Sequence, residues 1–102
     1  MSEVKSFRLA SGEEVLCQVT GEDTNQGVFI ITHPRVLQLM PTPQGGYGLG
    51  LLPWFHSKSS GEISVSKAHI IAICEPDADT EKAYLEQVSG IKLATPGSIL
   101  RG

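Results

Sequence analysis

Apolar and polar residues alternate from the beginning of the chain. Between Val4 and Ala10, Phe7 and Leu9 fall on one face and Ser6 and Arg8 on the other. That is the period of two expected of a half-buried strand, and Ser11-Gly12 supplies a tight turn after it. The run from Glu14 to Thr20 returns, with Val15, Cys17 and Val19 interleaved with Leu16, Gln18 and Thr20. Residues 21–27 are polar and predict a loop. Val28–Thr32 predicts a third strand, bent or broken at His33-Pro34 because proline cannot donate to a ladder, and continued by Val36–Met40. After a turn over Pro41–Gly46 come an apolar strand over Tyr47–Trp54, a polar loop over His56–Gly61, a strand over Glu62–Ser66 and a continuous apolar strand over Ala68–Cys74.

The period changes after Glu75-Pro76. Asp77 and Asp79 are candidate caps, Glu81 stands in a first turn where the helix dipole favours anions, and Gly90 is a plausible stop. Tyr84, Leu85, Val88 and Ile91 then form one apolar face, which predicts a helix over Asp79–Gly90 that covers an open end of the preceding β body. The pattern divides the chain into a barrel over residues 1–76, a helix over 77–90 and a tail over 91–102, all within a single domain. The fold class is mostly β: a small, strongly bent, open barrel of five strands with one C-terminal α-helix.

Composition narrows the function classes. Hydrophobic residues make up 40% of the 102 positions and charged residues 19%, an ordinary globular balance. The net charge of −3 argues against strong non-specific nucleic-acid binding, which needs clustered cations. The acids are segregated, however. None occurs between Thr24 and Gly61, where Arg35, Lys58, His33 and His56 all fall. Residues 36–57 carry no charge, but their prolines and glycines exclude a membrane-spanning helix. The N-terminus shows no secretory pattern, so a cytoplasmic location is expected. Cys17 and Cys74 lie in apolar runs and are expected as buried, reduced thiols.

Two stretches carry a resemblance. Val4–Val19 has a leucine shortly before a turn, the turn glycine and then an alternating strand. Val65–Ile73 has an apolar position, a short polar turn and further apolar positions spaced by three. Together they resemble the two motifs of the Sm-like family, over roughly residues 4 to 75, in the manner of a divergent bacterial or phage member of the superfamily that includes Hfq. Ser66-Lys67 stands where eukaryotic and archaeal Sm proteins carry Arg-Gly. The Asp and Met-Asn of the first motif are not evident, and His33-Pro34 takes the Met-Asn place beyond an inserted loop at residues 21–27. The helix follows the barrel instead of preceding it.

The resemblance implies an SH3-type open barrel that assembles into a ring by pairing the fourth strand of one subunit with the fifth of the next. The sequence supports assembly independently: exposed apolar edges are templates for pairing. The expected interface residues are Tyr47, Leu49, Leu51 and Trp54 on one edge, and Ile70, Ile71 and Ile73 on the other. It further implies RNA binding, to short single-stranded segments around a central pore. The expected contacts are Lys67 and His69 in the turn between the last strands, with His33 and Arg35 facing the same pore. A ring that serves as a protein-binding or structural scaffold is the alternative.

Catalysis is not expected. Glu13 and Glu14 point to opposite faces of a strand, so they cannot share a proton. The histidines lack metal-site spacing, and no serine sits in a nucleophile elbow. Gly45–Gly50 lacks the Lys-Ser/Thr of a phosphate loop. No cofactor, metal or membrane association is expected.

Overall fold

The computed structural model describes residues 3–57 and 61–89. The strands are β1 (Glu3–Leu9), β2 (Glu14–Asp23), β3 (Val28–Pro41), β4 (Tyr47–Pro53), β5 (Glu62–Ser66) and β6 (Ile70–Cys74). A single 3-10 turn, Lys67–His69, separates β5 from β6, and the helix α1 spans Ala78–Ser89. The antiparallel sheet runs β4-β3-β2-β1-β6, with β5 also paired to β3. This is the expected mostly β fold, a strongly bent antiparallel sheet with one C-terminal helix, and its six segments match the six strand runs read from the sequence.

Two expectations about strand limits are corrected. Residues 21–27 are not an inserted loop. β2 continues to Asp23 with Gly21 opposite Ile30, Glu22 opposite Phe29 and Asp23 opposite Val28. Only residues 24–27 turn the chain. The Asp23 carboxylate accepts from the amides of Asn25 and Gln26, and Gly27 adopts φ +66, which a side chain would oppose. The polar residues disguised this part of the strand because its outer end is exposed. Ala68 also does not begin a strand. Its amide donates to the Ser66 hydroxyl, which caps the 3-10 turn and delays β6 to Ile70.

β3 is unbroken by His33-Pro34 but sharply bent there. Leu16 faces Arg35 and Gln18 faces Thr32, so Cys17 alone on β2 opposes His33 and Pro34 together. This is a bulge, and it places His33 at φ +52, an uncommon conformation for a residue with a side chain. Beyond the bend β3 changes partner. Val28–Thr32 pairs with β5, and Arg35–Pro41 pairs with β4.

Phe7, Leu9, Val15, Cys17, Ile31 and Val65 form the buried core, with Phe29, Val36, Trp54 and Ile63 around it. The Phe7 and Phe29 ring centroids are 5.6 Å apart. Burial of three consecutive residues, Val15, Leu16 and Cys17, requires cover on both faces of β2. The core covers one face. Leu16, outside the core cluster, points with its cross-strand neighbour Arg35 to the other, where α1 lies.

α1 starts immediately after Asp77, whose carbonyl accepts from the Glu81 amide, with Asp79 and Glu81 in the first turn. Asp77 therefore stands at the helix boundary, and Asp79 falls inside. Tyr84 is completely buried, and Leu85 and Val88 are half-buried. Tyr84 and Gln87 fasten the helix to the bend of β3 and to β4. Ile91, the expected stop at Gly90 and the tail 91–102 lie outside the described residues.

Cys17 is buried as expected, and burial pushes its thiol up to about 12. Cys74 is exposed, contrary to expectation, as are Ile71, Ala72 and Ile73 beside it. β6 lies at the sheet edge, and among the described residues nothing covers its outward side. Its apolar run does not mark burial within one chain.

Candidate functional site

The β2–β3 turn and the 3-10 turn meet at one end of the sheet. The Lys67 amide donates to the Gly27 carbonyl at 2.9 Å, which ties the two turns together. The Lys67 ammonium pairs with Glu22 and lies 4.9 Å from the centroid of the Phe29 ring, a cation–π position. Cross-strand register explains the grouping: Glu22 faces Phe29, Phe29 faces Val65, and Val28 faces Ser66, the residue before Lys67. Asn25 and Gln26 are exposed beside this cluster. His69 is exposed at the far end of the same turn, and its carbonyl accepts from the Ala10 amide at 2.8 Å.

His33 and Arg35 are placed elsewhere. Five residues of β3, Val28–Thr32, separate Gly27 from His33, six steps or roughly 20 Å at strand rise. Within one protomer they lie at the bend of β3, apart from Lys67. Both are engaged in fastening α1. The Tyr84 hydroxyl donates to the His33 carbonyl at 2.6 Å. His33 Nδ1 lies 3.1 Å from Gln18 Oε1. Arg35 Nε donates to Gln87 Oε1 at 2.9 Å and its guanidinium reaches the Pro34 carbonyl at 3.0 Å, while the Gln87 amide donates to the Leu51 carbonyl at 3.3 Å. Burial pushes the Tyr84 hydroxyl well above its ordinary range, so it remains a donor. The polarity of β3 at its bend therefore serves helix docking.

Charge at the turn cluster is mixed. Glu22 and Asp23 stand against Lys67 and His69, and Lys67 is already paired. Sequence reasoning singled out Lys67 but missed Glu22, Phe29 and Asn25, because residues 21–27 read as a loop with no fixed neighbour. It also missed Gln87, which has no signal outside the folded helix. Lys58, part of the acid-free segment, lies outside the described residues.

The residues expected at the sheet edges divide into two groups. Tyr47 (74% exposed), Leu49 (58%), Ile71 (67%) and Ile73 (47%) lie open on the terminal strands β4 and β6. Leu51 and Ile70 are half-buried. Trp54 is half-buried too, but it packs against the core and edge-to-face on Phe55 at 5.3 Å, so much of it already serves the fold. Leu39, 66% exposed opposite Leu49, belongs with the first group and was not singled out.

Among the described residues, no group of three or more His, Cys, Asp or Glu side chains could hold a metal ion. No helix among them is long and apolar enough to cross a membrane. Comparison with curated proteins finds none that matches this chain. The family profile described as the Sm_like domain matches residues 6–85, from β1 into the middle of α1, and with the bent sheet, its two open edges and the joined turns this shows that the chain belongs to the Sm-like family.

Proposed function

We propose that the chain assembles head to tail into a homo-oligomeric ring and that the ring binds single-stranded RNA where the Thr24–Gly27 turn meets Lys67. The observation that carries this reading is the junction of the two turns through the Lys67–Gly27 hydrogen bond. It groups a cation, an aromatic ring and two exposed amides, the chemistry used to hold a phosphate and an unstacked base. Members of the family commonly form rings and bind RNA, and generally do so without catalysis.

Assembly is supported by the terminal strands. β4 and β6 each offer a free backbone edge flanked by exposed apolar side chains. The two edges differ, so the contact is heterologous and closes only as a ring. Ring closure would bring every copy of Lys67 to a common end. The Glu22 partner lowers the local potential, but an exposed pair contributes at most about 1 kcal/mol, which a polyanion can displace. Two free cysteines, one of them exposed, fit a reducing cytoplasmic setting.

Native mass spectrometry tests the ring, and a monomer alone at micromolar concentration refutes it. Fluorescence anisotropy with U-rich and A-rich oligoribonucleotides at two salt concentrations tests the RNA. Binding that weakens with salt and drops about tenfold in Lys67→Ala supports it. A second reading, the ring as a protein-binding or structural scaffold, is favoured by the Lys67–Glu22 pair and the acidic net charge. It prevails if the ring forms and no salt-dependent binding is seen.

A further inference from the structure

The β3–β4 ribbon carries an apolar ladder that the described chain leaves uncovered. Leu37 faces Leu51 and Leu39 faces Leu49, so four leucines share one side of a two-stranded arm. Exposure rises outward along this ladder. Leu37 and Leu51 are half-buried, while Leu39 and Leu49 are 66% and 58% exposed. A groove of about 690 Å³ is lined by Leu37, Leu39 and Leu49 and by Glu13 and Glu14 of the β1–β2 turn. Such an arm is marginal in water unless its apolar side is packed.

We infer that the segment 90–102 of the same chain docks along this ladder. Three observations select it. First, α1 delivers the chain there: Gln87 bonds the Leu51 carbonyl, and the described helix ends two residues later at Ser89. Leu49 is only two strand residues beyond Leu51, about 7 Å. Second, the composition matches. Ile91, Leu93, Ile99 and Leu100 supply apolar side chains, and the segment contains no acid. Third, the charges are complementary. Lys92 and Arg101 are its only charged side chains, and Glu13 and Glu14 line the groove, with Arg8 beside them already paired to Glu14. Ten residues from Ser89 to Ile99 reach up to about 33 Å when extended, enough to span the ladder. The docked segment covers a side of the ribbon and leaves the free backbone edge of β4 available to a neighbour. The inference is independent of whether RNA binds.

Hydrogen–deuterium exchange of the full chain, followed by mass spectrometry, tests this docking. The expected result is at least tenfold slowed exchange in peptides covering 91–101, lost in Leu39→Asp and in Leu49→Asp. Both leucines are exposed in the described fold, so these variants should stay folded, as core-peptide exchange in the same experiment verifies. Glu13→Lys should reduce the protection, and adding Arg101→Glu should restore it. Protection must persist on dilution to conditions where native mass spectrometry shows monomer. Exchange of 91–101 at unprotected rates in the wild type overturns the inference. So does protection that vanishes on dilution, which would assign the groove to a neighbouring copy, or protection unchanged by both leucine substitutions.

Discussion

Tyr84 is the side chain on which attachment of the helix to the sheet most depends, and its two truncations separate the contributions. Tyr84→Phe keeps the ring and removes the donor to the His33 carbonyl, a bond of 2.6 Å made at a completely buried side chain. Loss of one partner of a buried hydrogen bond costs about 1–2 kcal/mol. Tyr84→Ala also removes the ring and opens a cavity over the bend of β3, for a total of about 3–5 kcal/mol. For a chain of 102 residues, whose whole stability is of order 5–15 kcal/mol, the second change is a large fraction. With a urea dependence of about 1.2 kcal/mol/M, the midpoint should fall by about 1 M in Tyr84→Phe and by about 3 M in Tyr84→Ala. Circular dichroism at the helix band and Trp54 fluorescence should report one coincident transition, because α1 covers Leu16 and so stabilises the strand that carries the core residues Val15 and Cys17. The reasoning is refuted if both variants unfold within 0.3 M of wild type, or if the helix signal is lost well before Trp54 responds. Either result would make α1 an independent appendage.

The turn cluster predicts that Glu22→Gln strengthens RNA binding three- to tenfold at low salt, read by anisotropy, because it releases Lys67 from its carboxylate; unchanged affinity would remove Lys67 from the binding surface. The two sheet edges predict a complementation: Tyr47→Asp and Ile71→Asp should each shift the assembly toward monomer, and an equimolar mixture should form dimers but no rings, since one intact edge of each kind remains. Rings in either single variant, by native mass spectrometry, would place the contact elsewhere. Alkaline pH should destabilise the fold. The Cys17 thiol ionises near 9.0 when unfolded but is held protonated up to about 12 when buried, so its contribution is complete below pH 9 and declines through pH 12. Urea melts between pH 8 and 11 should show this fall, and a shallower one in Cys17→Ala.

The apolar alternation of β1 and β2 was legible because each has one core face, and Val15, Cys17 and Phe7 lie on it. The helix was legible from Tyr84 and its neighbours for the same reason. What escaped was whatever depends on a second partner. Glu22 and Asp23 read as loop because the outer end of β2 is held by register and not by burial. Cys74 read as buried from its apolar run, yet within one chain it faces outward with Ile71 and Ile73 on the edge strand, because apolar character records the need for cover and not its source. The resemblance placed His33 and Arg35 at the pore; their bonds to the helix, from Tyr84 to the His33 carbonyl and from Arg35 to Gln87, join residues too distant in sequence to be read there. Lys67 was found from its turn, whereas its neutralising partner required the β2–β3 register.

β3 serves two partners in succession, with Arg35 opposite Pro53 and Thr32 opposite Glu62. The chain leaves this ladder after Pro53 and rejoins it at Glu62, while on β3 only His33 and Pro34 intervene. Both ends of that excursion are therefore indexed by the same strand, so its length does not set the register of anything that follows. A peptide grafted there should alter what the molecule displays without altering how it is held, which makes this excursion, more than either terminus, the natural place to lengthen the chain.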